Sequence, residues 1–168
     1  TMLGDTAVAV HPDDQKYKDY IGLECSLPLT NRKIKIIADE YVNPEKGSGA
    51  VKITPAHDFN DFEVGKRHNL QIINVFDQYA KFNNFVPERF IGLDRYVARK
   101  KILEELKSLD LIVEEEKQIM SIPYGDRSGV VIEPRLTDQW FCDAKKLSIE
   151  PIKSVKQGKT RFTPKTWE

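Results

Sequence analysis

Short apolar runs separated by turn residues dominate the chain and predict a mainly β structure. Residues 7–10 form one apolar run that ends at His11-Pro12-Asp13-Asp14, which is typical of a buried strand followed by a turn. Isoleucines among lysines at 34–37, and the alternation of Val51 and Ile53 with polar residues in 49–54, favour half-buried strands. Further strands are predicted at 72–76, 111–113, 119–122 and 130–132.

Two segments have the sequence signals of helices. Residues 59–69 follow Asp58, a residue type that caps helix N-termini, and a longer helix is predicted from Asp94 to about Ser108. Many short strands with few helices favour an α+β or irregular-barrel domain over a regular parallel sheet. The longer helix has one apolar stripe that could cover a sheet, made of Ala98, Ile102, Leu106 and Leu109.

Composition and charge exclude several classes of protein. The 168 residues suffice for one domain with a hydrophobic core, and 26 basic residues balance 26 acidic ones, so no overall field attracts nucleic acid. Cys25 and Cys142 are far apart and lack a metal-binding pattern. No apolar run is long enough to span a bilayer, so we expect no membrane contact and an intracellular, soluble protein.

Candidate chemistry is concentrated in residues 47–61, where a predicted strand leads into a predicted helix. Lys52 and Thr54 are two positions apart and therefore point to the same face of the strand. Asp58 and Asp61 are three apart and lie on one side of the first helical turn. An ammonium, a hydroxyl and two carboxylates that converge in this way suit a small zwitterionic or aminoacyl ligand.

A purely structural interpretation of the same residues is open. Asp58 could simply cap the helix, Asp61 could be favourable near the positive helix end, and Lys52 could be solvated. His57 and His68 are candidates for a general base, although a histidine beside a helix is more often structural.

Five blocks of sequence carry a family resemblance, and they are residues 1–12, 49–58, 63–70, 127–134 and 139–141. Together they resemble the editing domain of valyl-tRNA synthetases, which are class I aminoacyl-tRNA synthetases. The resemblance is specific because it rests on long blocks rather than on single glycine motifs. By this resemblance Lys52 and Thr54 favour the valine enzymes over the related isoleucine and leucine editing domains.

The resemblance implies a fold and a domain organisation. It implies a mainly β, barrel-centred editing domain with peripheral helices, followed by a β-ribbon return segment. We therefore expect an editing core in residues 1–125, and in residues 126–168 a ribbon that returns toward a catalytic domain. In the family the first motif begins upstream with further threonines and an arginine, so we expect the chain alone to be weakly active or inactive.

The resemblance also implies an activity, which is hydrolysis of threonine wrongly esterified to valine tRNA. By this resemblance Asp61 binds the α-ammonium of threonine, while Asp58, Thr54 and Lys52 contact its hydroxyl and position water. Thr1 is expected to contact the substrate or the terminal ribose. His57 is expected to be a further substrate-binding residue.

Editing of this kind needs no metal and no cofactor, whereas the parent synthetase would use ATP and magnesium. The expected partners are the 3′ end of tRNA(Val) carrying threonine and the remainder of the parent enzyme, with the chain itself monomeric and cytoplasmic. Two alternatives stay open: an editing domain of an isoleucyl- or leucyl-type synthetase, or a non-catalytic module that docks the tRNA acceptor end.

Overall fold

The computed structural model describes residues 1–115, 121–164 and 166. The chain divides into two compact units, Thr1–Leu136 and Thr137–Glu168. Part of the strand predicted at 119–122 falls on residues outside the described ones. No helix within the described ranges combines the length and the apolar character needed to cross a bilayer.

The first unit is built on an open, mixed four-stranded sheet. Its strands are β1 (Ala7–Val10), β2 (Glu24–Ser26), β3 (Lys33–Ala38) and β4 (Ala50–Ile53), in the order β2-β3-β1-β4. β1 pairs with β3 in parallel, and the other two pairings are antiparallel. The sequence predicted β1, β3 and β4, but β2 is a short polar segment whose pairing, not its composition, makes it a strand.

Helix α1 (Phe59–Arg67) packs on this sheet. Asp58 caps it as predicted, because its carboxylate accepts hydrogen bonds from the backbone N–H groups of Asn60 and Asp61. The helix closes a small apolar core with the sheet, so the end of β4 and the first turn of α1 are held side by side. This core contains Ala7, Ala9, Val42, Ile53 and Val64.

Helix α2 (Arg95–Ser108) covers a second and larger core. Asp94 caps it by accepting from the N–H of Tyr96. Three members of the predicted stripe are buried, whereas Leu109 is 55% exposed because it follows the last helical residue and leaves the stripe. The core contains Leu3, Val75, Phe76, Phe82, Val86, Phe90, Ala98, Ile102 and Leu106.

The α+β class is confirmed, but a closed barrel is not found among the described residues. Residues 72–75 and 111–113 are irregular, so the strands predicted there are wrong. Both runs are apolar because they pack against the α2 core through Ile73, Val75 and Ile112. Burial in a loop thus produced the same sequence pattern as a strand.

Little of the expected β-ribbon is found in the described residues after 120. In the described residues after 120, pairing is limited to one antiparallel bridge between Tyr124 and Val131, so the strand predicted at 130–132 is wrong. Helices α3 (Ala144–Leu147) and α4 (Ile149–Lys156) occupy part of the second unit. Asp143 caps α3 by accepting from the N–H of Lys146, a signal that the sequence prediction overlooked.

Candidate functional site

An ion pair joins the end of β4 to the first turn of α1. The Lys52 ammonium lies 2.8 Å from Oδ2 of Asp61. Asp61 is 2% exposed, whereas half of the Lys52 side chain is exposed. Because Lys52 has three N–H donors and this bond uses one, two remain for a ligand.

Thr54 connects two carboxylates. Its backbone N–H donates to Oδ2 of Asp61 at 2.9 Å, and its hydroxyl donates to Oδ1 of Asp5. Thr54 is completely buried, so its side chain has no surface for a ligand in this conformation. The predicted proximity of Lys52, Thr54 and Asp61 is therefore observed. Thr54 and Asp61 are buried, whereas the Lys52 side chain is half exposed.

Asp5 is a member of the cluster that the sequence reasoning missed. It is 2% exposed and lies two positions before the first residue of β1. Burial raises its pKa to about 6, although the Thr54 hydrogen bond and the nearby Lys52 charge act in the opposite direction. An acidic residue close before a buried strand, in Gly4-Asp5-Thr6, was the available signal, because such a carboxylate must find a partner inside the fold.

Asp58 is exposed, and the structure places it in the capping position that the structural interpretation anticipated. Its Oδ1 accepts from the N–H of Asn60 at 2.8 Å and from the N–H of Asp61 at 3.0 Å. It therefore contacts the Lys52–Asp61 pair only through the helix backbone. Its other oxygen is available to solvent or to a ligand.

His57 is buried with both ring nitrogens in use. Nδ1 lies 3.2 Å from the carbonyl of Pro134, and Nε2 accepts from the N–H of Val75 at 3.0 Å. Since a carbonyl can only accept, Nδ1 holds the proton and the ring is neutral. Burial lowers the pKa of His57, which favours this neutral form.

His68 lies at the opposite end of α1 from Asp58. Its Nε2 is 2.8 Å from Oδ2 of Asp39. The Arg67 guanidinium donates three hydrogen bonds to the same carboxylate, from Nε to Oδ2 at 3.2 Å and from Nη2 to Oδ1 at 2.9 Å and to Oδ2 at 3.0 Å. Burial would raise the pKa of Asp39, but the hydrogen bonds from Arg67, Tyr41 and His68 outweigh burial and lower it. His68 therefore belongs to a structural ion cluster.

Two cavities of the first unit are lined by residues that the sequence predicted for the site. Asp58 lines one of about 500 Å³, and Thr1, which is exposed, lines another of about 230 Å³ beside α2. Within the described residues, Lys52, Thr54 and Asp61 line neither of these two cavities. Since the Lys52 ammonium sits directly on Asp61, a ligand must enter beside this pair rather than between its members.

The arrangement can bind a cation and a hydroxyl at the same time. Among the described residues, Oδ1 of Asp61 accepts no hydrogen bond, while Oδ2 accepts two. A carboxylate with one oxygen fixed and the other open is suited to an ammonium group. The spare Lys52 donors can contact a nearby hydroxyl or carbonyl oxygen.

Comparison with known families places these residues in a recognised domain. The sequence pattern described as "Leucyl-tRNA synthetase, editing domain" matches residues 6–91, which is half of the chain. The matched region includes β1 to β4 and α1, and with them Lys52, Thr54, Asp58 and Asp61.

The chain is also similar to several bacterial proteins named valine–tRNA ligase. It is 55% identical to the protein of Pelagibacter ubique over 99% of the chain, and 56% identical to that of Caulobacter vibrioides over 100%. The protein of Mesorhizobium japonicum is 51% identical over 100% of the chain. The chain spans about a fifth of the length of these relatives, covering 19%, 18% and 20% of them respectively.

Proposed function

This chain belongs to the family of aminoacyl-tRNA synthetase editing domains, and we propose that it is the editing domain of a valine–tRNA ligase, which hydrolyses threonine esterified to tRNA(Val). The family pattern named for leucine covers only residues 6–91, whereas the valine–tRNA ligases match the whole chain at 51–56% identity. The valine assignment is therefore favoured over an isoleucine or leucine enzyme.

The need for a second, hydrolytic site follows from the shapes of the two amino acids. Valine and threonine are nearly isosteric, and the valyl enzyme is the established example, with a synthetic pocket that rejects threonine only about a hundredfold. A polar site reverses this preference, because a group that hydrogen-bonds the threonine hydroxyl is left unpaired by valine, at a cost of about 1–3 kcal/mol. The polar Lys52–Asp61 pair is of this kind.

The observation that supports the proposal is the open oxygen of Asp61 beside the spare donors of Lys52. We propose that Oδ1 of Asp61 binds the α-ammonium, and that Lys52 contacts the threonine hydroxyl. Thr54, being completely buried, acts by holding Asp61 rather than by touching the substrate. Asp58 orients the first turn of α1 and is the nearest exposed carboxylate for positioning water.

Thr1 and His57 have supporting roles in the proposed site. Thr1 borders a cavity beside α2, and we propose that it contacts the substrate or the terminal ribose. His57 acts by fixing the Val75 and Pro134 segments around the site, since neither ring nitrogen is available to a substrate.

The reaction is a simple ester hydrolysis. Water attacks the ester carbonyl, the bond between that carbon and the ribose oxygen breaks, and the ribose oxygen takes the proton that the water loses. Threonine and intact tRNA leave. Aminoacyl esters are reactive, so orienting water and ester supplies much of the acceleration.

The proposed partners follow from the same assignment. They are the acceptor end of tRNA(Val) carrying threonine and the rest of the ligase, in the cytoplasm. In that enzyme residues 1–125 would be the editing core, and residues 126–168 would lead toward the catalytic domain.

The direct test is deacylation of threonyl-tRNA(Val) by the full-length enzyme carrying Asp61→Ala. We expect the rate to fall at least a hundredfold, because the ammonium loses its only buried carboxylate partner. Glu63→Ala, an exposed acidic residue on the same helix, is the matched control and should keep the wild-type rate. Wild-type deacylation by Asp61→Ala would contradict the role proposed for Asp61. Binding of threonyl-tRNA(Val) by the wild-type enzyme without deacylation would favour a docking module, and faster hydrolysis of valyl-tRNA than of threonyl-tRNA would exclude the valine assignment.

A further inference from the structure

Asp5 is a buried carboxylate to which the proposed reaction gives no role. It accepts the hydrogen bond of the Thr54 hydroxyl, and the backbone N–H of Thr54 donates to Asp61. Thr54 is thus held between two carboxylates, one on either side. A change at Asp5 is therefore transmitted to Asp61 through a single, completely buried residue.

Asp5 and Asp61 carry the negative charges of the cluster, and Lys52 and Arg32 carry positive charges close to Asp5. An aminoacyl ester brings one further positive charge, its α-ammonium. An ionised Asp5 lowers the cost of bringing this charge beside Lys52, because a positive charge added to a partly buried site is costly unless a negative charge lies near it.

We propose that Asp5 is a positioning residue that supplies the second negative charge needed to bind the α-ammonium of the substrate, acting through Thr54 on Asp61. This inference rests on the proposed editing function and deepens it by assigning a second carboxylate to amino-group recognition. Asp5 does not touch the substrate. Its hydrogen bond fixes Thr54, whose N–H keeps one oxygen of Asp61 occupied and leaves the other open.

Binding of the α-ammonium should depend on pH. Asp5 is protonated more easily than an ordinary aspartate, because burial raises its pKa to about 6. Protonation below that pH removes the negative charge, so binding of the ammonium weakens as the pH falls from 7 to 5. Among the described residues, the charged side chains that face Asp5 are those of Lys52, Asp61 and Arg32.

The first experiment follows kcat/KM for deacylation of threonyl-tRNA(Val) by the full-length enzyme between pH 5 and pH 7. We expect the wild-type value to fall about tenfold as the pH is lowered over this range, which is the effect of neutralising one required group whose pKa is near 6.

Asp5→Asn keeps a hydrogen-bond acceptor for Thr54 but has no charge. It should be about tenfold slower than wild type at pH 7 and independent of pH. Asp19→Asn, an exposed change of the same kind, should follow the wild type.

A second variant separates the charge from the hydrogen bond. Thr54→Val removes the donor that lowers the pKa of Asp5 but leaves the carboxylate in place. The value of kcat/KM at pH 7 should fall, because Thr54 and with it Asp61 are held less firmly. The charge of Asp5 is still present, so the acid limb of kcat/KM should persist and move to higher pH. This variant also decides the question if Asp5→Asn does not fold.

Two results would overturn the proposal: a wild-type pH profile in Asp5→Asn, or an acid limb that stays in place in Thr54→Val. Either can occur while the wild-type enzyme still deacylates threonyl-tRNA, and then only the role of Asp5 is lost. Absence of deacylation by the wild-type enzyme at every pH would instead reject the proposed function.

Discussion

Thr54 and His57 are buried polar residues whose donors and acceptors are paired with other side chains or with the backbone, which holds them in one geometry. Thr54 uses both its amide and its hydroxyl on carboxylates, and His57 uses one nitrogen as a donor and the other as an acceptor. A buried polar group without a partner costs about 1–3 kcal/mol, so each such contact strongly disfavours alternative arrangements. The hydrogen bonds of Thr54 and His57 therefore fix the positions of the groups around the proposed site.

His57→Ala tests this at one residue. The change leaves the buried N–H of Val75 without its acceptor, and the free energy of unfolding should fall by about 2–3 kcal/mol at pH 7.5. Because the folded-state pKa of His57 lies below its ordinary value of 6.5, wild-type stability should fall as the pH drops through 6.5, and the variant should lack this component. Urea unfolding at pH 7.5 and pH 5.5 measures both effects, and equal stability of the two proteins at pH 7.5 would contradict the assigned contact.

At the scale of elements, the site is the junction between β4 and α1. Asp58 begins the helix, Asp61 projects from its first turn, and the packing of Val64 on Ile53 fixes the distance from the strand. This junction was predictable from sequence, since the cap and the alternation in 49–54 are local signals. The sequence around Asp5 indicates a carboxylate that needs a buried partner, but that partner, Thr54, could not be predicted, because the two residues meet through the long-range pairing of β1 with β4.

Gly65→Ala tests the close approach of α1 to the segment after β4. A Cβ at residue 65 would lie 2.8 and 2.9 Å from the Cγ and Cβ of Pro55, so the helix must move away. The strain should exceed the gain in helix propensity and lower the free energy of unfolding by about 1–3 kcal/mol. Lys66→Ala, an exposed change in the same turn, is the control. If Gly65→Ala were as stable as the control and equally active in deacylation, this packing would not be what positions Asp61.

At the scale of the whole molecule, the sequence predicted strongly periodic or capped elements and failed where burial occurs without regular structure. Residues 72–76 were predicted as a strand because Ile73, Val75 and Phe76 are apolar, yet they pack under α2 as a loop. The expected barrel rested on the many short predicted strands and on the family resemblance, and in the described residues the strands form an open sheet. Site residues that lie close together in the sequence, such as Lys52 and Asp61, could be identified. A residue brought to the site by contacts between distant segments, such as Asp5, could not.

The central claim is that Lys52 and Asp61 form the binding site for an aminoacyl group whose side chain bears a hydroxyl. A crystal structure of the protein with a nonhydrolysable threonyl-adenosine analogue tests it most directly. We expect the ammonium of the analogue within hydrogen-bonding distance of Oδ1 of Asp61, and its hydroxyl in contact with the Lys52 ammonium. An analogue bound elsewhere, with no contact to either side chain, would contradict the account.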